Sequence, residues 1–164
     1  MIKILYHGSN IVVKEPLVSS SRKNLDFGPG FYTTSDFNQA VSWAKRKSKI
    51  ENSEEAFVSC YELDTEKWNV LNINEFNTPN KLWLDYVAKN RRGKFENIDY
   101  DLVIGPVAND DTFPTILLYI DEYIDADNAI KQLLPQKLKE QYTFKIKDSL
   151  TLLKFKKAVA VWKK

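Results

Sequence analysis

Apolar and polar residues along this chain repeat at two different periods, and the switches between them divide it into short strands and helices. Lys3 to Gly8 reads as a first strand that ends at a glycine, and the polar, irregular Ser9–Asn24 stretch, with Pro16 and a run of serines, predicts a long loop. Turn formers in Asp26-Phe27-Gly28-Pro29-Gly30 then deliver the chain into a short aromatic strand, Phe31-Tyr32-Thr33-Thr34. Ser35 or Asp36 is placed to cap a helix with apolar positions at Ala40, Val41, Trp43 and Ala44. Ala56–Leu63 is strand-like, and Trp68–Ile73 is expected to pair beside it. Leu82, Trp83, Tyr86 and Val87 have helical spacing within Asn80–Lys89, and Asn90–Gly93 ends that helix. The apolar run Tyr100–Gly105 predicts a buried strand. Pro114–Ile120 and Ala126–Leu138 read as helices, the second kinked or split by Pro135. Gln141–Ile146 alternates at period two, Ser149–Leu153 is a short turn or helix, and Ala158–Trp162 is a final strand. Strands spread along the whole chain give an α+β class and a single domain over residues 1–164.

Composition narrows the field. The 164 residues are 43% hydrophobic and 28% charged, which suits one folded domain and excludes disorder over most of its length. No apolar run approaches the roughly 20 residues of a membrane helix, and Met1–Tyr6 enters a strand pattern rather than a signal peptide, so a cytoplasmic protein is expected. One cysteine, Cys60, excludes an internal disulfide, and one histidine, His7, argues against a zinc site; no metal is expected. The net charge of +2 does not by itself mark a nucleic-acid binder. The region from Lys131 onward is rich in lysine, which reads as solvated surface or as a face for an acidic partner.

Dinucleotide-binding, P-loop and serine-hydrolase fingerprints are all missing. A Cys60–His7 nucleophile pair is open by spacing, although Cys60 sits mid-strand among apolar residues as buried structural cysteines do. His7 is either a packed histidine or a ligand contact. Trp43 is either helix core or a ligand platform. Phe31 and Tyr32 are neighbours on a strand and must face opposite ways, so one of them packs.

Tyr6-His7-Gly8-Ser9, Asp26-Phe27-Gly28-x-Gly30-Phe31-Tyr32-x-Thr34, Gln39-Ala40-x-x-Trp43-Ala44, Ile104-Gly105-Pro106-Val107-Ala108-Asn109-Asp110 and Gln141-Tyr142-x-Phe144 carry a resemblance. The chain is similar, from about Leu5 to Phe155, to the His-Tyr branch of the ADP-ribosyltransferase superfamily, which includes the poly(ADP-ribose) polymerases. It resembles more closely a bacterial family of small proteins of that fold, some of them toxins paired with antitoxin proteins. The resemblance implies two small antiparallel or mixed sheets around an NAD+ cleft, with peripheral helices. It implies a mono-ADP-ribosyltransferase that uses NAD+ as substrate and a protein or nucleic acid as acceptor. The alternatives are a nucleotide-binding module that has lost transfer, or a toxin that hydrolyses NAD+.

By the same resemblance His7 would bond the nicotinamide ribose, the Gly8 main chain would clamp the nicotinamide amide with Ser9 nearby, and Tyr32 would stack on the ring. Phe31 accompanies it, and Trp43 falls where a second stacking aromatic stands. Gly28 and Gly30 would bend the strand entrance against the ligand, and Arg22 with Lys23 would cover the pyrophosphate unless they are plain loop charges. The sequence carries no readable code for the acceptor; the loops near Asn72–Asn80 and Asn109–Pro114 are the candidates for contacting it, and Asn109-Asp110-Asp111 reads equally as a polar turn and helix cap. Active branches carry a catalytic glutamate on the late strand; this chain has Gln141 there, which makes polymer synthesis doubtful and leaves single transfer. Glu140 would replace it only after a one-residue slip of register, and Gln141→Glu is the exchange that would restore the charge.

Overall fold

The computed structural model describes residues 1–18, 25–93, 100–109 and 111–163. Period-two segments form β1 (Ile2–Ser9), β2 (Phe31–Thr34), β3 (Glu55–Asp64), β4 (Ile73–Glu75), β5 (Leu102–Pro106), β6 (Glu140–Phe144) and β7 (Leu153–Lys163). Between them lie α1 (Phe37–Ile50), α2 (Lys81–Arg91), α3 (Phe113–Ile120), α4 (Ala126–Leu133) and the short α5 (Lys147–Leu150). The expected two sheets are one: the strands hydrogen-bond in the order β4-β5-β6-β2-β1-β3-β7, all antiparallel except β4 beside β5. The joint in the middle is narrow, however. Only Tyr6↔Thr34 pairs β1 with β2, whereas β2 pairs β6 from Phe31 to Thr34 and β1 pairs β3 from Ile2 to Ser9. The sheet is continuous through a single residue pair.

Each element follows from local chemistry. Asp36 is the N-cap of α1 and accepts the Gln39 amide at 2.7 Å. Ala40, Ala44 and Ser48, one turn apart, form its buried stripe. These small residues let α1 close on β1 so tightly that a Cβ on Gly8 would lie 2.0 Å from the Ala40 carbonyl oxygen. Pro135 ends α4 as expected, since the chain turns into a 3-10 segment at Leu134–Gln136. Trp68–Ile73 does not pair beside β3. Both edges of β3 are taken, by β1 and by β7, and the Asp64 side chain caps a 3-10 turn over Thr65–Val70 instead. The chain extends from Leu71 and becomes a paired strand at Ile73, where β4 lies beside β5.

Alternation along the strands separates the cores. Leu5, Phe31, Tyr61, Leu102, Ile104, Tyr142 and Phe144 fill one face. On the other, α2–α4 bring Trp83, Leu84, Val87, Ile116 and Leu133 onto Phe27 and Val103, while α1 covers Ala56, Val58 and Cys60. Among the described residues no helix is long and apolar enough to cross a membrane.

Candidate functional site

Beyond the Tyr6↔Thr34 pair, β1 continues to Ser9 beside β3 alone, and β2 turns away toward β6. A cleft of about 1130 Å³ opens at this divergence, lined among others by His7, Gly8, Tyr32, Trp43 and Gln141. Three residues distant in sequence therefore share one cavity.

Tyr32 and Phe31 help to fix His7. Its Nδ1 lies 2.7 Å from the Tyr32 carbonyl oxygen, and its ring stacks on Phe31 with centroids 4.3 Å apart. A carbonyl only accepts, so Nδ1 carries a proton and donates it to Tyr32. Phe31, 5% exposed, is mainly the shelf beneath His7 and part of the core.

Tyr32 is anchored by its hydroxyl, which donates to the Gly28 carbonyl at 2.6 Å and accepts the Phe27 amide at 3.0 Å. The hydroxyl end is deeply enclosed while the side chain keeps some exposure toward the cleft. Burial, and then the charge of Asp26, hold the phenol well above its ordinary pKa. The group does not ionise near neutrality, so Tyr32 serves as a fixed ring rather than as an acid or base. Gly28 takes φ +74° in the turn that Tyr32 staples, a conformation that favours glycine.

The floor of the cleft is a polar cluster around Asp26, a residue that sequence reasoning passed over. Its Oδ1 accepts Arg91 Nε at 2.8 Å and Nη2 at 2.5 Å; its Oδ2 accepts the Ala108 amide at 3.0 Å and Gln141 Nε2 at 3.2 Å. Four donors fill the capacity of one carboxylate. Arg91 also stands 4.4 Å over the Phe113 ring. The cluster joins two segments distant in sequence: Asp26-Phe27-Gly28 brings the carboxylate, and Pro106-Val107-Ala108 an amide and a carbonyl. Asp26 opens a motif already singled out, and that was the available signal. Arg91 carried none, because a cation in the last turn of a helix is ordinary.

Gln141 is 2% exposed, and its Nε2 faces Asp26 Oδ2 and, at 3.3 Å, the Pro106 carbonyl. Both neighbours only accept, so the amide nitrogen must be the end turned to them. The carbonyl oxygen Oε1 has no partner among the described residues. Gln141→Glu would set a second carboxylate against Asp26, so the expected restoration of charge is opposed by the site itself. Glu140 is no substitute: Gln141 pairs Thr34 in register, and Glu140 lies toward Ser35 and Tyr142 on the opposite face.

The remaining candidates sort plainly. Ser9 is 7% exposed at the cleft, its hydroxyl 3.3 Å from Asn10 Oδ1. Gly8 and Gly30 line the cleft, but their lack of a side chain answers to packing, of α1 on Gly8 and of Thr143 and the Phe144 carbonyl on Gly30. Trp43 is half-buried in the cleft wall, one turn before Arg46 and Lys47. Arg22 and Lys23 lie outside the described residues. Cys60 is excluded as a partner of His7: it is buried against Ala40 and Ala44, whereas His7 faces with Ser59, and burial raises its thiol pKa. Among the described residues no three His, Cys, Asp or Glu gather as metal ligands.

No curated protein and no solved structure matches this chain. A family model does, over residues 3–155, which takes in every element bounding the cleft; the chain belongs to the family described as protein of unknown function (DUF3990).

Proposed function

We propose that this chain is a mono-ADP-ribosyltransferase that binds NAD+ in the cleft between β1 and β2. The observation that carries the reading is the meeting of His7, Tyr32 and Gln141, from three separate strands, around one cavity. These are the three positions at which the resemblance to the His-Tyr branch places its site residues, the third with glutamine in place of the branch's glutamate. The anchored Tyr32 ring offers a flat platform that loses little freedom on stacking a nicotinamide. Beyond Tyr6↔Thr34 the described strand β2 does not pair Gly8 or Ser9, which line the cleft, so their main-chain edge is placed to meet an amide. Gln141 Oε1 is an acceptor for a ribose hydroxyl.

The reaction breaks the bond from nicotinamide to ribose, and an acceptor N–H or O–H becomes the new bond to the ribose with loss of a proton. Positive charge develops on the sugar as that bond breaks, and stabilising it calls for nearby negative charge. Where the branch has its glutamate this cleft supplies a neutral carbonyl oxygen, with the Asp26 charge already committed to Arg91; Glu15 is the other carboxylate among the described residues of its lining. Turnover is therefore slow and limited to single transfers. The same observation favours a second reading, a module that binds NAD+ without cleaving it.

Purified protein incubated with labelled NAD+, with and without cell lysate, decides among these. Nicotinamide release with label on macromolecules, abolished in His7→Ala and Tyr32→Ala, is the expected result. Release without transfer identifies a glycohydrolase. Saturable binding with no release leaves the module, and no binding at all removes the NAD+ reading.

A further inference from the structure

The Asp26 carboxylate is buried, 5% exposed, and saturated by its four donors, so it cannot itself act on a ligand. Its geometry nonetheless reaches the cleft through one neighbour. Gln141 has two amide protons, one directed at Asp26 and one at the Pro106 carbonyl, which also accepts the Trp83 indole at 3.1 Å. Trp83 and Arg91 both stand on α2, so one helix fixes both acceptors that hold the amide. The terminal amide is then left with one way to sit.

We propose that Asp26, clamped by Arg91, is a positioning residue: it turns the Gln141 amide so that its carbonyl oxygen, and not its nitrogen, meets the ligand. The floor of the cleft is thereby set as a hydrogen-bond acceptor that selects a donor, such as a sugar hydroxyl. This deepens the reading given above and rests on it only for the ligand's identity. The orientation itself follows from chemistry, since a carboxylate and a carbonyl accept and never donate. A neutral side chain at position 141 is part of the same device, because a glutamate there would meet Asp26 acceptor to acceptor.

Exchanging the two groups gives the discriminating variants. In Asp26→Asn, Arg91 retains the oxygen end of the new amide, and its nitrogen faces Gln141, which must turn over and present N–H groups to the cleft. In Gln141→Glu, two carboxylates oppose each other. In the double variant Asp26→Asn/Gln141→Glu, the new amide donates to the new carboxylate and an acceptor again faces the ligand, while the Ala108 amide and the Pro106 carbonyl each meet a group of their own kind. Binding of NAD+, measured by calorimetry, is expected to weaken about tenfold or more in each single variant, and the loss in the double to be at least about tenfold smaller than the two single losses combined. Losses that simply add, with no recovery, would mean that Asp26 is only a structural ion pair and would overturn the proposal.

A second readout needs no nucleotide and no variant. The side-chain amide protons of Gln141, followed by 1H–15N spectroscopy in the free wild-type protein, are expected to exchange slowly with solvent. If they exchange as freely as those of a surface glutamine, the clamp does not exist. If they are protected while NAD+ fails to bind at all, the positioning role stands and the nucleotide reading falls.

Discussion

At the scale of single residues, Tyr32 shows how a side chain is used twice. Its hydroxyl satisfies the Phe27 amide and the Gly28 carbonyl, and its ring faces the cleft. Tyr32→Phe keeps the ring and leaves the Phe27 amide without its acceptor, a loss of about 1–3 kcal/mol in unfolding free energy. Ligand binding should fall little in that variant and strongly in Tyr32→Ala. Denaturant titration beside NAD+ calorimetry separates the two effects, and equal binding losses would remove the platform role. That His7, Tyr32 and Gln141 line one cavity was legible through the motifs that carry the resemblance. Asp26 and Arg91 were not, because an ion pair between a turn and a distant helix end leaves no local signature. Packing also constrains Gly8 and Gly30, which is not legible in the sequence, since a sequence does not say which neighbour crowds a glycine.

Among the elements, those with their own start and stop signals were read closely. Asp36, Asn80 and Asp125 cap α1, α2 and α4, and Pro135 breaks the chain where a pyrrolidine ring must. The 3-10 turn at Thr65–Val70 was missed because its apolar Trp68 and Val70 mimic a strand, while the reason it is not one lies in the two occupied edges of β3. The α1 cap offers a test with a definite pH dependence. The Gln39 amide, and then Lys139 at 3.2 Å, hold the Asp36 carboxyl below its ordinary pKa, against some opposition from burial. A depressed folded-state pKa stabilises the fold above the unfolded value and ceases to do so as pH falls through the folded one. Asp36→Ala should therefore cost about 1 kcal/mol at neutral pH, and the gap from wild type should close on acidification below about pH 4. Urea unfolding of both proteins across that range measures it; a gap that widened in acid would contradict the cap's ionised state.

For the molecule as a whole, what matters is the one-pair joint between β1 and β2. Sequence pattern gave strand identities but not their junction, because how far two strands stay paired depends on how neighbouring layers splay them. The expectation of two sheets erred by that single pair, and the place where it erred is the place where the cleft opens. On the proposed reading a ligand seated there would bridge the two halves of the sheet, with His7–Ser9 lining one side of the cleft and Tyr32 and Gln141 the other. Hydrogen exchange can distinguish such bridging from simple binding. Any ligand present at a hundred times its Kd adds about 2.7 kcal/mol of stability and slows every amide that exchanges through global unfolding. Amides that exchange by local opening respond only where the ligand sits. With saturating NAD+, local protection is expected at His7–Ser9 and across the Phe27–Tyr32 turn, on both flanks of the joint, while the outer edge of β7 continues to open as before. Protection on one flank alone would place the ligand on one half of the sheet and leave the joint unused. Protection spread evenly to β7 would mean that only global stability had changed, and the cleft would lose its claim to be the site.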